Sequence, residues 1–373
     1  MDDVHKHKIL YLSAYNTPEA GNRVLLTWIK WLVEHEYKVA LAYPGGGWMS
    51  DIVQTFSDLK VTHCSFMYPT VANNTKFILS VLKLVAFVIK NKIEIIHCNS
   101  EVAYRYGMYA ARFCKIPIVT HFRFHFQEEY YKWSFAGKRC PSGVFFVSKA
   151  FHAEEISKLN EVAKTSRSWT LYNCINTDLY LNSQKDEEVS KSGDPLIIVY
   201  PAAIQTRKNQ LHLYKIDRLL IERGVDVKFI VAGRINEVEY WEECQKKAQE
   251  YMNNNIEFIG HIDDVRLLYM KAHISISLSR YETFGFSVLE SMACGVPVVS
   301  YADPAVMEVL GSSGIIVPID DVEAVADAIT LLSKDEKLRK NLSINSMKRA
   351  REIFSPDVIV PQLLRCYNEV TVK

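Results

Sequence analysis

Short apolar runs alternate along the chain with longer stretches whose apolar residues recur every three or four positions. Ile9–Ser13 is a run of the kind a strand buried on both faces requires. Asn22–Glu34 follows, with Val24, Leu25, Trp28, Ile29 and Leu32 on one helical face. Further strands are predicted at Lys38–Ala42, Ile93–Cys98, Pro117–His121 and Gly143–Ser148, and helices at Glu101–Phe113 and Lys149–Lys158. A polar, charged stretch, Asn182–Asp194, reads as a linker or surface loop. The pattern then restarts. Strands are expected at Leu196–Tyr200, Val227–Ala232, Ile256–Ile259 and Ile274–Leu278, each followed by a helical pattern. Late helices are expected at Asp321–Leu332 and Asp335–Ile353. Strands alternating with helices predict a doubly wound parallel sheet, and the restart predicts two of them. At 373 residues the chain is also long for a single core.

Composition narrows the classes. Apolar residues make up 49% and charged residues 23%, with a net charge of +1, so no global basic field points to nucleic acid. The eight cysteines are scattered singly, without C-x-x-C or Cys/His ligand spacing, which suggests neither a zinc site nor a disulfide framework. Reduced thiols in a cytoplasm are the expectation. The opening residues Met1–Lys8 lead straight into a strand and do not read as a signal peptide. The longest apolar run, Phe77–Ile89, is interrupted by Ser80 and Lys83; it is too short for a bilayer and predicts a helix packed on a sheet. Pro44–Gly47 invites a phosphate-loop reading, but Ser50 stands where the third glycine is needed, so a turn before a helix is preferred.

Candidate chemistry concentrates in Ser279–Glu308, which reads as loop, helix and strand after Ile274–Leu278. Ser287 is placed to cap a helix Ser287–Cys294, and Gly295 to stop it. Glu282 then falls on the loop and Glu290 in the first helical turn. Ligands of open α/β sheets bind outside the carboxyl ends of the strands, at helix N-termini. Both carboxylates therefore flank one expected pocket, beside the amides of Thr283, Phe284, Gly285, Phe286 and Ser287. Ser287-x-x-Glu290 is equally a capping box, which needs no ligand.

The run Glu282-Thr-Phe-Gly-Phe-Ser-Val-Leu-Glu290-Ser-Met-Ala-Cys-Gly-Val-Pro-Val-Val resembles the donor-site signature of family 4 of the retaining glycosyltransferases with the GT-B fold. That family has two glutamates at this spacing, a Gly-Phe-Gly-like turn, and a Met-Ala-x-Gly-x-Pro-Val-Val tail. The resemblance covers the second half of the chain well and the first half loosely. It implies two Rossmann-like domains facing an interdomain cleft: 1–180 on the acceptor side, 181–354 holding the donor, and a terminal helix 355–373 crossing back to the first. It implies that Glu290 takes the ribose hydroxyls and that Glu282 and the amides after it lie by the donor sugar and diphosphate. Lys208 matches the family lysine on the diphosphate. Ala203 stands where the family has arginine, and Arg207 is the neighbouring cation available to replace it. His121 matches the family histidine beside the donor sugar, and Gly21 the glycine that lets backbone approach the donor. Tyr172–Tyr180 resembles the interdomain segment, with Cys174 in place of its usual glycine. Arg234, at a strand end, lies near the base or on the surface; His97 reads as structural.

The function implied is sugar transfer, with retention, from a UDP- or GDP-type sugar to a saccharide or lipid-linked acceptor in bacterial cell-surface polysaccharide assembly. No cofactor is expected, and no metal, because no D-x-D clamp is present. His125 and Arg123 are candidates to meet the acceptor. The aromatic and basic run Phe122–Trp133 forms an acceptor wall, touches headgroups of the inner membrane from the cytoplasmic side, or simply packs. The rivals are a sugar-nucleotide epimerase on the same fold and a degenerate binding subunit; Ala203 and Cys174 favour the latter, and the set Glu282, Glu290, Lys208 and His121 opposes it.

Overall fold

The computed structural model describes residues 6–64, 74–163, 167–181, 194–251 and 254–371. The chain divides into two compact units, Met1–Cys174 with Pro356–Lys373, and Ile175–Ser355. The expected linker Asn182–Asp194 lies, Asp194 apart, outside the described residues.

The first unit holds a parallel sheet built from β1 (Ile9–Leu12), β2 (Val39–Tyr43), β3 (Lys60–His63), β4 (Ile95–Cys98), β5 (Ile118–Phe122), β6 (Gly143–Phe146) and β7 (Ser168–Thr170). Its order is β3-β2-β1-β4-β5-β6-β7. Every residue of β1, β2, β4, β5 and β6 is buried, as a sheet covered by helices on both faces demands. The second unit holds β8 (Leu196–Pro201), β9 (Val227–Ala232), β10 (Ile256–Gly260), β11 (Ile274–Ser277), β12 (Val298–Tyr301) and β13 (Ile315–Val317), in the order β10-β9-β8-β11-β12-β13. Its core runs from Ile198, Phe229 and Ile276 to Val325 and Ile329 of the helix Val322–Lys334. Strand order reverses between β1 and β4 in one sheet and between β8 and β11 in the other. At such switch points, neighbouring loops diverge and leave a crevice at the carboxyl edge.

The last helix, Pro356–Thr371, belongs to the first unit. Ile359, Val360, Leu363 and Tyr367 are fully buried there, and Trp31 Nε1 donates to Asp357 Oδ1 at 2.7 Å.

Three strands escaped the sequence pattern. β3, β7 and β13 are three or four residues long and only partly buried, too short to establish a period. The helix expected at Ser287–Cys294 instead spans Phe286–Ala293, with Gly285 at its N-cap and no side-chain cap. Ser287 therefore does not cap, and Glu290 is the fifth helical residue, in the second turn. The capping-box geometry is absent. Gly285 adopts φ +86°, and a Cβ there would stand 3.0 Å from Val306 Cγ2, so the turn into this helix admits only glycine comfortably.

Candidate active site

The switch point of the second sheet sets β8 beside β11, which brings the loop after β8 next to the loop after β11. The Arg280 amide donates to the Arg207 carbonyl at 2.9 Å, and Asn209 Nδ2 to the Leu278 carbonyl at 2.8 Å. Tyr200 Oη donates to the Lys208 carbonyl. These bonds fix a short helical turn, Thr206–Lys208, whose two cations point at one carboxylate. Lys208 Nζ pairs with Glu282 Oε1, and Arg207 Nη1 stands 3.5 Å from the same oxygen. The Lys208 and Glu282 side chains are nearly buried, while Arg207 is 40% exposed.

Burial alone would raise the Glu282 carboxyl, but the Lys208 and Arg207 charges outweigh it and hold the group below the usual carboxylate range. Burial pushes Lys208 down, as does Arg207, while Glu282 pulls it up. Lys208 and Arg207 face this carboxylate, and the Asp303 carboxylate also acts on Lys208, ahead of the helix Phe286–Ala293, whose N-terminus is the positive end of its dipole. Such a place receives anions.

Asp303 completes the arrangement, and nothing in the sequence reading singled it out. Its Oδ2 accepts the Glu282 amide at 3.0 Å, and its Oδ1 accepts the Ala305 and Val306 amides at 3.0 and 3.3 Å. It thus holds the Glu282 loop while capping the helix Pro304–Leu310. The Asp303-Pro304 pair, a cap followed by a first-turn proline, was the available signal.

Glu290 is 3% exposed, and its Oε1 accepts from Tyr180 Oη at 3.2 Å. Nearby, Arg266 is bidentate on Asp264, with Nη2 to Oδ2 at 2.7 Å, and reaches the Leu179 carbonyl at 3.2 Å. Arg234 is exposed; its carbonyl accepts the Ile204 amide of the loop after β8 at 2.8 Å, and its Nη2 lies 3.3 Å from His261 Nε2. Phe284 is buried against Phe354 in a T-shaped pair at 5.9 Å, while Thr283 and Phe286 are half-buried.

The remaining candidates belong to the first unit. Gly21 lies in the first turn of the helix Ala20–Glu34, and a Cβ on it would meet Arg123 Cδ at 3.0 Å. Its smallness makes room for that guanidinium. Arg123 is buried and donates to the Asn99 carbonyl (2.7 Å), Asn99 Oδ1 (2.8 Å) and Asn173 Oδ1 (2.6 Å). His121 is fully buried between Trp28, His97 and Phe145. Its Nδ1 is 3.1 Å from His97 Nε2, His97 Nδ1 is 2.6 Å from Tyr367 Oη, and Tyr367 donates to Tyr11 at 3.1 Å. Burial and the Arg123 charge push both imidazoles well below their ordinary range, so both are neutral. His97, read as structural, is the middle of this buried chain. Within the run Phe122–Trp133, Phe122, Arg123 and Tyr131 are buried and Phe126, Tyr130 and Trp133 half-buried, with Arg105 stacked on Trp133 at 3.9 Å, while the other six residues, Phe124 among them, are exposed. His125, with Glu154 and Glu155, forms a group with metal-ligand spacing, but Lys158 Nζ already lies 2.7 Å from Glu155 Oε1 and supplies the cation.

Two parallel-sheet Rossmann-like units define the GT-B fold. The same fold is seen in the Anabaena protein HepE, solved in complex with UDP and glucose, at a TM-score of 0.79 and 18% identity over 97% of this chain and 99% of that one. Two family models match: "Glycosyltransferase Family 4" over residues 21–179 and "Glycosyl transferases group 1" over residues 182–349. The chain belongs to this family of glycosyltransferases. Among its relatives are N-acetyl-alpha-D-glucosaminyl L-malate synthase of Bacillus anthracis, 26% identical over 58% of this chain, and the capsular polysaccharide glycosyltransferase CapM of Staphylococcus aureus, 27% identical over 50% of it. The chain spans 57% and 50% of the length of these two.

Proposed function

We propose that the protein transfers a sugar, with retention at the anomeric carbon, from a nucleoside diphosphate sugar to a saccharide or lipid-linked saccharide of the bacterial cell surface. The observation that carries the reading is the meeting of Lys208, Arg207 and Glu282 at the carboxyl edge of β8 and β11, beside a helix N-terminus. As the glycosidic bond breaks, its electron pair passes to the diphosphate, and charge grows on the β-phosphate oxygens. Lys208 and the first-turn amides stabilise that growing charge; Arg207 supplies the second cation that Ala203 does not. Glu282, held ionised, keeps Lys208 aimed until the donor arrives and then faces the sugar hydroxyls. Glu290 accepts from the ribose diol, positioned by Tyr180. HepE's ligands and the relatives' names favour UDP as the nucleotide and polysaccharide assembly as the setting.

The test is a thermal-shift panel of UDP, GDP, ADP and TDP, in which a ligand at ~100 times its dissociation constant adds roughly 2.7 kcal/mol. UDP is expected to give the largest rise, and no shift with any nucleotide would refute the reading. Glu290→Ala is expected to weaken UDP binding by about ten- to a hundredfold in calorimetry, the worth of ~1.5–3 kcal/mol for a hydrogen bond to a charged group. Unchanged affinity with a lower melting point would make Glu290 a structural residue. Transfer is expected to survive EDTA; loss restored by Mn²⁺ would show that a metal takes part.

A further inference from the structure

The helix Asn74–Asn91 packs beside the helix Glu101–Cys114 and buries Leu84, Val85 and Val88. Its outer side is not polar. Ile78, Leu79, Leu82 and Ile89 are each between 53 and 60% exposed. At about 100° per residue, these four and Ala86 fall in one stripe, with Lys76, Lys83 and Lys90 along its flank. The helix has no Asp or Glu. Its neighbour Glu101–Cys114, joined to it by the ring pair Phe77–Tyr109 at 5.7 Å, adds Phe113, 70% exposed, and Arg112. The one carboxylate on that second helix, Glu101, is fully buried. Lys92 and Lys115 follow the two helices and are exposed. Six cations and five large apolar side chains therefore share a surface to which the two helices add no exposed carboxylate, in a chain whose net charge is only +1.

We propose that this face docks on a bilayer carrying anionic lipid. Ile78, Leu79, Leu82 and Phe113 enter the boundary between headgroups and acyl chains, and the lysines and Arg112 lie among the lipid phosphates. An apolar stripe with a cationic flank is the chemistry of a surface-bound amphipathic helix. A second copy of the chain fits worse, because a two-fold interface would press like charges together. A nucleic acid fits worse too, since the stripe is mainly aliphatic rather than a set of stacking rings. The docking does not rest on glycosyl transfer, although a lipid-linked acceptor would be met at such a surface. It also differs from the Phe122–Trp133 run, whose Phe, Tyr and Trp side chains, Phe124 apart, are buried or half-buried.

The test is co-sedimentation with vesicles, without donor or acceptor, so that failure leaves the transfer reading untouched. The probes are phosphatidylcholine vesicles and the same vesicles with roughly a third phosphatidylglycerol, a strongly anionic surface. The full chain is expected to bind the anionic vesicles only, and less as salt screens the lysines. One variant carries Lys76→Glu, Lys90→Glu and Lys92→Glu; the other carries Ile78→Ser, Leu79→Ser and Leu82→Ser. Each is expected to lose binding at least tenfold with an unchanged melting curve, because the positions are exposed. Wild type that ignores anionic vesicles, or binding that both variants retain, overturns the proposal. So does wild type that sediments as a dimer while both variants are monomers, since the stripe would then be covered by a second copy.

Discussion

Lys208→Met is expected to lower kcat by about 10²–10³-fold while UDP affinity changes by less than about tenfold, the pattern for a group whose interaction strengthens as charge develops. The reason lies in the pairing at Glu282. Before the donor arrives, Lys208 is held by that carboxylate, so part of its attraction for the ground-state diphosphate is already spent. The extra charge on the leaving group in the transition state is what Lys208 answers. The substitution has a second consequence, because it leaves Glu282 nearly buried with Arg207, 3.5 Å away, as its nearest remaining cation. Breaking such a pair costs about 3 kcal/mol, and the melting point should fall accordingly. Adding Glu282→Gln to Lys208→Met should return most of the stability without returning turnover. An unchanged kcat in Lys208→Met would hand the role to Arg207; recovery of turnover in the double variant would reduce the pair to a structural one.

Glu101→Gln is expected to stabilise the protein increasingly as pH rises from about 5 to about 8.5. Glu101 is fully buried, neither carboxyl oxygen takes a hydrogen bond of normal geometry, and burial pushes the group up to about 8. Below that pH it is protonated in the folded protein, whereas in the unfolded chain it ionises near its model value of 4.5. Between these values the folded state binds more protons, so stability falls with rising pH, and the loss is complete above about 8. At 1.36 kcal/mol per pKa unit, the full effect is about 3–5 kcal/mol. Glutamine keeps the shape and has no such slope. His97 and His121 act with the opposite sign: both are pushed well below the ordinary range, so stability falls as pH drops below the unfolded imidazole value, near 6.5. The wild type should therefore be most stable near pH 6.5. Denaturant titrations across pH decide the matter; an equal gain for Glu101→Gln at pH 5 and pH 8.5 would mean that Glu101 is not protonated in the folded state.

How much of this was readable depends on how contiguous each feature is. The two parallel sheets were legible because fully buried strands and amphipathic helices leave strong, different periods. β3, β7 and β13 were not, since short, half-exposed strands leave no period. Glu282 and Glu290 were found because one continuous run carries both. That Lys208 meets Glu282, 74 residues away, followed only from a family match and needed the β8–β11 neighbourhood to be seen. The start of the helix at Phe286 was misread because Ser287 is a good cap in sequence, while the left-handed turn at Gly285 decides the geometry. Glu101 escaped because an acid at a helix start looks solvated in sequence; only burial makes it unusual. Arg123 was seen as an acceptor contact, but its three bonds to Asn99 and Asn173 depend on segments that the sequence does not bring together.

The placement of the helix Pro356–Thr371 governs how the chain can be made. Tyr367 meets His97 across 270 residues, and Asp357 meets Trp31 across 326. The second unit is in effect an insertion within the first. As the chain leaves the ribosome, the second unit's residues are all synthesised before the first can close its core. At about 5–20 residues per second, the early strands wait on the order of ten seconds or more with the Trp28–His97 region uncovered. Closure then joins distant segments, which is slow for entropic reasons. Nascent chains stalled before residue 356 should thus engage chaperones through their first half, while their second half is already protease-resistant.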